Sequence, residues 1–267
     1  MSALDIAPQA GRVPSLAVRA RDVLVSEWTK VRSVRSSYWI LLIAAVTAIG
    51  GSVIVAIATA SSGHSPMDPL ASIFLAWLEY PVLAVGILGV LAFTSEYSTG
   101  QIRTTLAAVP QRRAVLAAKA AAVGLLTLCF GELLAFISFF LSEAILSGHH
   151  RGLSLTHPGV VGAVLAAGFT LFAIAIVGLS LGAIVRHTAG AVAALPAVIY
   201  LPLVLLSLPA PWNDMIGRFT LLIASSQIVS LHPKVGLLSP SFSMLVVAAW
   251  PTVSLLIAAL LIARRDV

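Results

Sequence analysis

Apolar positions along this chain do not alternate with polar ones; they run on. Six stretches, Tyr38 to Ala60, Ile73 to Thr94, Ala114 to Leu141, Val160 to Val185, Ala189 to Leu208 and Phe242 to Ala263, are dominated by Leu, Ala, Val and Ile. About 20 such residues wind into a helix that crosses the hydrocarbon core of a bilayer. Backbone groups in lipid must be bonded within their own segment, and the alternation of barrel strands is missing here. The pattern predicts an all-α integral membrane protein with six transmembrane helices over residues 38–267, preceded by a polar segment over 1–37.

The intervening stretches carry patterns of their own. In "PSLAVRARDVLVSEWTKVRSVRSSYW", Leu16, Ala20, Val23, Leu24, Trp28, Val31 and Val34 recur at helical spacing with Arg and Lys mostly on the remaining surface. That describes an amphipathic helix lying along headgroups. Between the second and third spans, residues 95–119 form a basic, Thr-rich interruption, "FTSEYSTGQIRTTLAAVPQRRAVLAAK". Gly100 predicts a break, Ser98 or Thr99 a cap, and Pro110 the end of a short helix that begins near Gln101. Ile102, Leu106 and Val109 share one face of it. So short a helix is marginal alone, and two readings stay open: docking in a groove of a partner, or a basic loop resting on headgroups. The loop over 209–241 is longer than a connection requires, and "MIGRFTLLIASSQIVSL" within it predicts short interfacial or re-entrant helices on the external side.

Composition agrees with a membrane setting: 59% of the 267 residues are hydrophobic and 10% charged, with a mean hydropathy of +1.03. A soluble domain carries about 25% charged residues. The net charge of +6 sits at the edges of the apolar runs, which suits anionic headgroups better than nucleic acid. If both termini share one face, that face collects Arg12, Arg19, Arg21, Lys30, Arg32, Arg35, Arg103, Arg112, Arg113, Lys119, Arg186, Arg264 and Arg265, thirteen in all. The other has three, Arg151, Arg218 and Lys234. Positive residues stay inside, so both termini are expected in the cytoplasm. The N-terminal stretch lacks the apolar core of a cleaved signal peptide. Cys129, the single cysteine, lies in an apolar run and reads as a small buried hydrophobe.

Candidate chemistry is sparse. Glu79 and Glu132 interrupt the second and third spans, and Glu143 lies near the outer end of the third. Ionisable groups at membrane depth are functional candidates; Glu79 and Glu132 either line a translocation path, bind a proton, or pair across the bundle. "GLSLG", Gly178 to Gly182, matches the spacing of a serine nucleophile, with His187 close behind. In an apolar helix the same glycines instead make a face for close packing. His149, His150 and His157 cluster in a loop with no nearby cysteine, so no metal site is assigned. Pro196, Pro202 and Pro251 predict bends within the last two spans. No Gly-Lys pair of a phosphate-cradling loop occurs anywhere, so no nucleotide site and no catalytic residue is assigned.

"SEWTKVRSVRSSYW", two spans, and then "FTSEYSTGQIRTTLAAVPQRRAVLAAK" resemble the membrane subunits of type 2 ABC transporters, the ABC-2 permeases of bacterial exporters. The resemblance extends over nearly the whole chain, and its most specific part is the motif after the second span. It implies that Glu96, Tyr97, Gly100, Arg103, Thr104, Thr105, Leu106 and Pro110 belong to a coupling helix seated in a separate ATP-binding subunit. Glu27, Trp28, Lys30 and Arg32 would lie in the interfacial helix. Gln101 stands where relatives often carry Thr. The implied protein is a non-enzymatic, multi-pass permease of the bacterial plasma membrane. It would work as a homo- or heterodimer, bind no cofactor itself, and export an amphipathic or lipophilic substrate with ATP and Mg2+ on the partner subunit. Two alternatives remain beside it: a proton-coupled secondary transporter, and a non-transporting anchor or sensor that recruits a cytoplasmic ATPase.

Overall fold

A computed structural model describes residues 24–30, 34–61, 68–78, 80–101, 111–149, 152, 154–204, 216–233 and 236–264. Residues 24–30 form a first helix, α1. It is followed by α2 (Arg35–Ser61), α3 (Pro69–Leu75), a 3-10 turn (Ala76–Leu78), α4 (Tyr80–Ser98), α5 (Arg112–Ser147), α6 (Val160–Val185), α7 (Thr188–Val204), α8 (Leu221–Ile228) and α9 (Pro240–Arg264). The described residues contain no strand. Five helices, α2, α4, α5, α6 and α9, are long and apolar enough to cross a membrane. The described part of α7 has 17 residues, about 26 Å at 1.5 Å per residue; the end of the predicted fifth span lies outside the described residues.

α6 is the hub. It is apolar all round, as suits a helix covered over most of its surface, and it packs against α4, α5, α7 and α9, leaving Val161 and Leu165 exposed near its start. Its closest neighbour is α4, and the reason is glycine. A Cβ at Gly89 would collide with the carbonyl oxygen of Ala175, and one at Gly178 with that of Gly86. At Gly182 it would stand 2.9 Å from the Val90 oxygen. The two backbones are therefore in contact, the small-residue packing expected of Gly178 and Gly182. Ser180, between them, is buried in mid-helix and donates to the Ile176 carbonyl at 2.8 Å. α2 buries only the small stripe Ala44, Ala48, Ser52 and Ala56 and turns Trp39, Val46 and Ile54 outward. α9 exposes Leu245, Val253 and Leu256 in the same way.

Three expectations need correction. The second predicted span, Ile73 to Thr94, is not one helix. Its first part belongs to α3 and the 3-10 turn, and α4 runs from Tyr80 to Ser98. Pro81 explains the break: proline has no N–H to continue a preceding helix, and it fits the first turn of a new one. The third helix is longer than its apolar run. α5 spans 36 residues, about 54 Å, and takes in Arg112 to Lys119, the end of the 95–119 connection, as well as the apolar run. Cys129, expected inside, is exposed on α5, because the buried face of that helix is the one carrying Thr127, Gly131 and Leu134.

At the end of the bundle remote from α1, one carboxylate ties separate segments. Asp68 caps α3 by accepting from Ala71 N at 2.9 Å. It also accepts from Ser230 Oγ at 2.6 Å and from His232 N at 2.9 Å. α8, the short helix found in the predicted last loop, thereby stays pinned beside α3. Burial opposes the charged form of Asp68, but the Ser230 hydroxyl and the N–H groups of Ala71, His232 and Leu231 outweigh it and hold the carboxyl below its ordinary value of 3.8.

Candidate functional site: a buried ion cluster beneath the α4–α5 connection

α4 and α5 are joined by the basic segment that follows Ser98. Where the two helices meet it, four charged side chains converge. Glu96 is in the last turn of α4, Lys119 in the second turn of α5, and Glu27 and Lys30 are one turn apart on α1. Lys119 Nζ donates to Glu27 Oε2 at 2.6 Å and to Glu96 Oε1 at 2.7 Å. Lys30 Nζ donates to Glu27 Oε1 at 2.8 Å and to Glu96 Oε1 at 2.7 Å. Each ammonium bridges both carboxylates, so the ring of four is neutral as a whole.

The cluster is deep. Lys119 is 2% exposed, and Glu27 and Glu96 are each 3% exposed. Only the Lys30 side chain reaches solvent, at 38%. Burial alone would lower the Lys30 pKa, but the hydrogen bonds and charges of Glu27 and Glu96 reverse this and raise it above 10.5. Charges taken this far from water are costly unless paired, and pairing to both partners at once fixes the position of α1 against α4 and α5. Glu96 Oε2 is buried with no hydrogen-bond partner among the described residues. It borders a cavity of about 270 Å³ that Ser36, Ser37, Ser95 and Gln101 also line.

The end of α4 is held from a second side. Tyr97 stacks on Phe93 with ring centres 5.7 Å apart, and the Arg186 guanidinium sits 5.7 Å from the Tyr97 ring centre. A cation over an aromatic face is attracted by the ring quadrupole. Arg186 comes from α6, whose C-cap it forms in the left-handed conformation with φ 59°, its N–H bonded to Gly182 O. After Ser98 the chain turns through Thr99 and Gly100; Gly100 has φ 72°, the region glycine enters without strain.

The structure thus brings together Glu27, Lys30, Glu96 and Tyr97 of the sequence-predicted residues. Trp28 is half-buried on α1, and Gly100 is exposed at the end of α4. Arg32, Glu79, Arg103, Thr104, Thr105, Leu106 and Pro110 lie outside the described residues. Glu132 is elsewhere, further along α5, with Oε2 buried and no hydrogen-bond partner among the described residues. Lys119 and Arg186 are legible in the sequence only as positive charges that set orientation. Lys119 carries one signal more: it is flanked by Val115, Leu116, Ala118, Ala120 and Val123, all buried, and a lone lysine on an apolar face calls for a carboxylate.

Chemically, each amine of the cluster is held as an ammonium between two carboxylates. The cluster is a joint, fixing three helices at the root of one connection. His187 is not near Ser180 in role: its ring accepts from Gly190 N at 3.3 Å at the start of α7. His149 and His157 are exposed, His150 lies outside the described residues, and no group of three metal-ligating side chains occurs among the described residues. Compared with known proteins, the chain matches no family model and no curated protein.

Proposed function

We propose that this chain is the membrane-spanning permease subunit of an ATP-binding cassette exporter. It crosses the bacterial plasma membrane six times with both termini in the cytoplasm, and works as a dimer with a separate ATP-binding subunit. The observation that carries the reading is the buried ring of Glu27, Lys30, Glu96 and Lys119, which joins α1 to both helices flanking the segment 102–110. A partner that pushes on that segment pushes on its roots. Because the roots are locked to one another and to α1, the displacement passes into α4 and α5 together, a rigid-body shift of the kind that opens and closes a path between helices. Arg103, Thr104, Thr105 and Leu106 are assigned to the contact with the ATP-binding subunit, and ATP and Mg2+ to that subunit.

The decisive experiment is purification of the tagged chain from its native membrane in mild detergent, followed by ATPase and transport assays on the complex. A stoichiometric ATP-binding subunit should co-purify. Arg103→Ala should leave membrane insertion intact while lowering transport per ATP hydrolysed. Purification of the chain alone, under conditions that preserve other membrane complexes, overturns the proposal.

One observation favours a second reading. Glu132 is ionisable, within a span and unpaired at Oε2, as a proton carrier's residue would be. Export driven by a pH gradient without ATP, and lost in Glu132→Gln, would select that reading instead.

A further inference from the structure

Glu132 does not point into the bundle at random. It lines a cavity of about 660 Å³ between α5, α6 and the α8–α9 region, together with Gly162, Phe169, Ile228, Leu231 and Met244. Glu132 is the one charged side chain among the described residues that line it. The volume lies within the range of small-molecule sites, roughly 300–1,000 Å³. Beside the cavity, Gly168 of α6 leaves space for the carboxyl group: a Cβ there would stand 2.5 Å from the Glu132 carboxyl carbon. Phe169 also lines a second cavity, of about 640 Å³, where it meets Leu128, Phe172 and Pro251, so the apolar surface continues past the acid.

A carboxylate in an apolar wall at membrane depth is costly unless a positive charge meets it. Among the described residues lining the Glu132 cavity none supplies one; Arg113, which lines the second cavity, lies in the first turn of α5, about 28 Å along the helix from Glu132. We infer that the groove between α5, α6 and α9 binds a cationic amphiphile, with its positive centre at Glu132 and its apolar body over Phe169. The ligand's charge satisfies the acid, and its hydrocarbon satisfies the wall. An anionic or a neutral apolar molecule of the same size satisfies only one of the two. Naming this ligand as the cargo rests on the exporter reading; its binding to the chain does not.

The test uses two ions of nearly the same shape and opposite charge, tetraphenylphosphonium and tetraphenylborate. The full chain is placed in nanodiscs of zwitterionic lipid, and binding is measured by equilibrium dialysis against empty nanodiscs. Tetraphenylphosphonium should bind saturably, with about one site per chain, and tetraphenylborate should not. Glu132→Gln should weaken that binding about tenfold or more, the effect of losing one charge-assisted contact, while Glu132→Asp largely retains it. Gly162→Leu supplies a variant that leaves the acid untouched. No atom lies within 4 Å of a Cβ at Gly162, which lines the cavity, so a side chain there starts in open space and should abolish binding by occupying the cavity. Lack of saturable binding to the unsubstituted chain overturns the inference, as does equal binding of the two ions or binding unchanged in both Glu132→Gln and Gly162→Leu. Failure of an ATP-binding subunit to co-purify leaves these results standing and removes only the word cargo.

Discussion

Lys119→Met would leave two carboxylates facing each other at the root of α4 and α5 with only the half-exposed Lys30 between them. Removing one partner from a buried ionic group typically costs about 3–5 kcal/mol, and a thermal-unfolding midpoint in nanodiscs should fall accordingly. Lys30→Ala should cost about 1 kcal/mol or less, because its side chain is 38% exposed and water screens what it contributes. Adding Glu27→Gln and Glu96→Gln to Lys119→Met removes the orphaned charges and should recover most of the loss. A triple variant no more stable than Lys119→Met would show that packing, not charge, holds this joint. Asp68 makes the complementary prediction at the other end. Its folded pKa is lowered from 3.8, so its contribution is fully present above the unfolded value and is lost as pH falls through the folded one. Stability of the unsubstituted protein should therefore drop below about pH 4 more steeply than that of Asp68→Ala. At neutral pH the substitution should cost roughly 0.5–2 kcal/mol through the lost cap alone.

Between elements, the contact that sets the geometry is α4 against α6. Gly89→Leu must push the α4 backbone away from the Ala175 carbonyl, and overpacking of this kind typically costs about 1–3 kcal/mol. Gly50→Leu, on the lightly covered α2 where a Cβ meets nothing within 4 Å, should be nearly neutral; equal losses in the two variants would deny that the interface is tight. How far such elements were legible from sequence depends on what sets each one. Long apolar runs fixed the location of α2, α5, α6 and α9, because hydrocarbon thickness demands their length. Pro81 is hidden inside an apolar run, since hydropathy does not register the missing N–H that starts α4 anew. Gly178 and Gly182 are legible as packing residues, but the backbone they meet, at Gly86 and Val90, is not, because spacing along one helix does not say which neighbour fits it. The ion cluster was out of reach for the same reason. Its bonds link residues 92, 66 and 23 positions apart, and only the fold brings them together.

Across the whole molecule, charge and hydropathy make one arrangement testable without any partner. The end of the bundle that holds Lys30, Glu96, Lys119 and Arg186 also holds the exposed Ser98, while Ser154, exposed as well, lies beyond the far end of α5. α5 alone is longer than the hydrocarbon core is thick, about 54 Å against about 30 Å, so both positions should be in water on opposite sides. Cys129 is the single native cysteine, and Cys129→Ser gives a clean background for placing one thiol at a time. In intact cells a membrane-impermeant maleimide should label Ser154→Cys at once and Ser98→Cys only after permeabilisation. The native Cys129, exposed on the apolar face of α5, should resist that reagent in both cases and react with a lipid-soluble one. Labelling of Ser98→Cys in intact cells would invert the topology. It would put the ion cluster and the basic connection outside, where no cytoplasmic ATPase could push on them, and the exporter reading would fall with the orientation on which it depends.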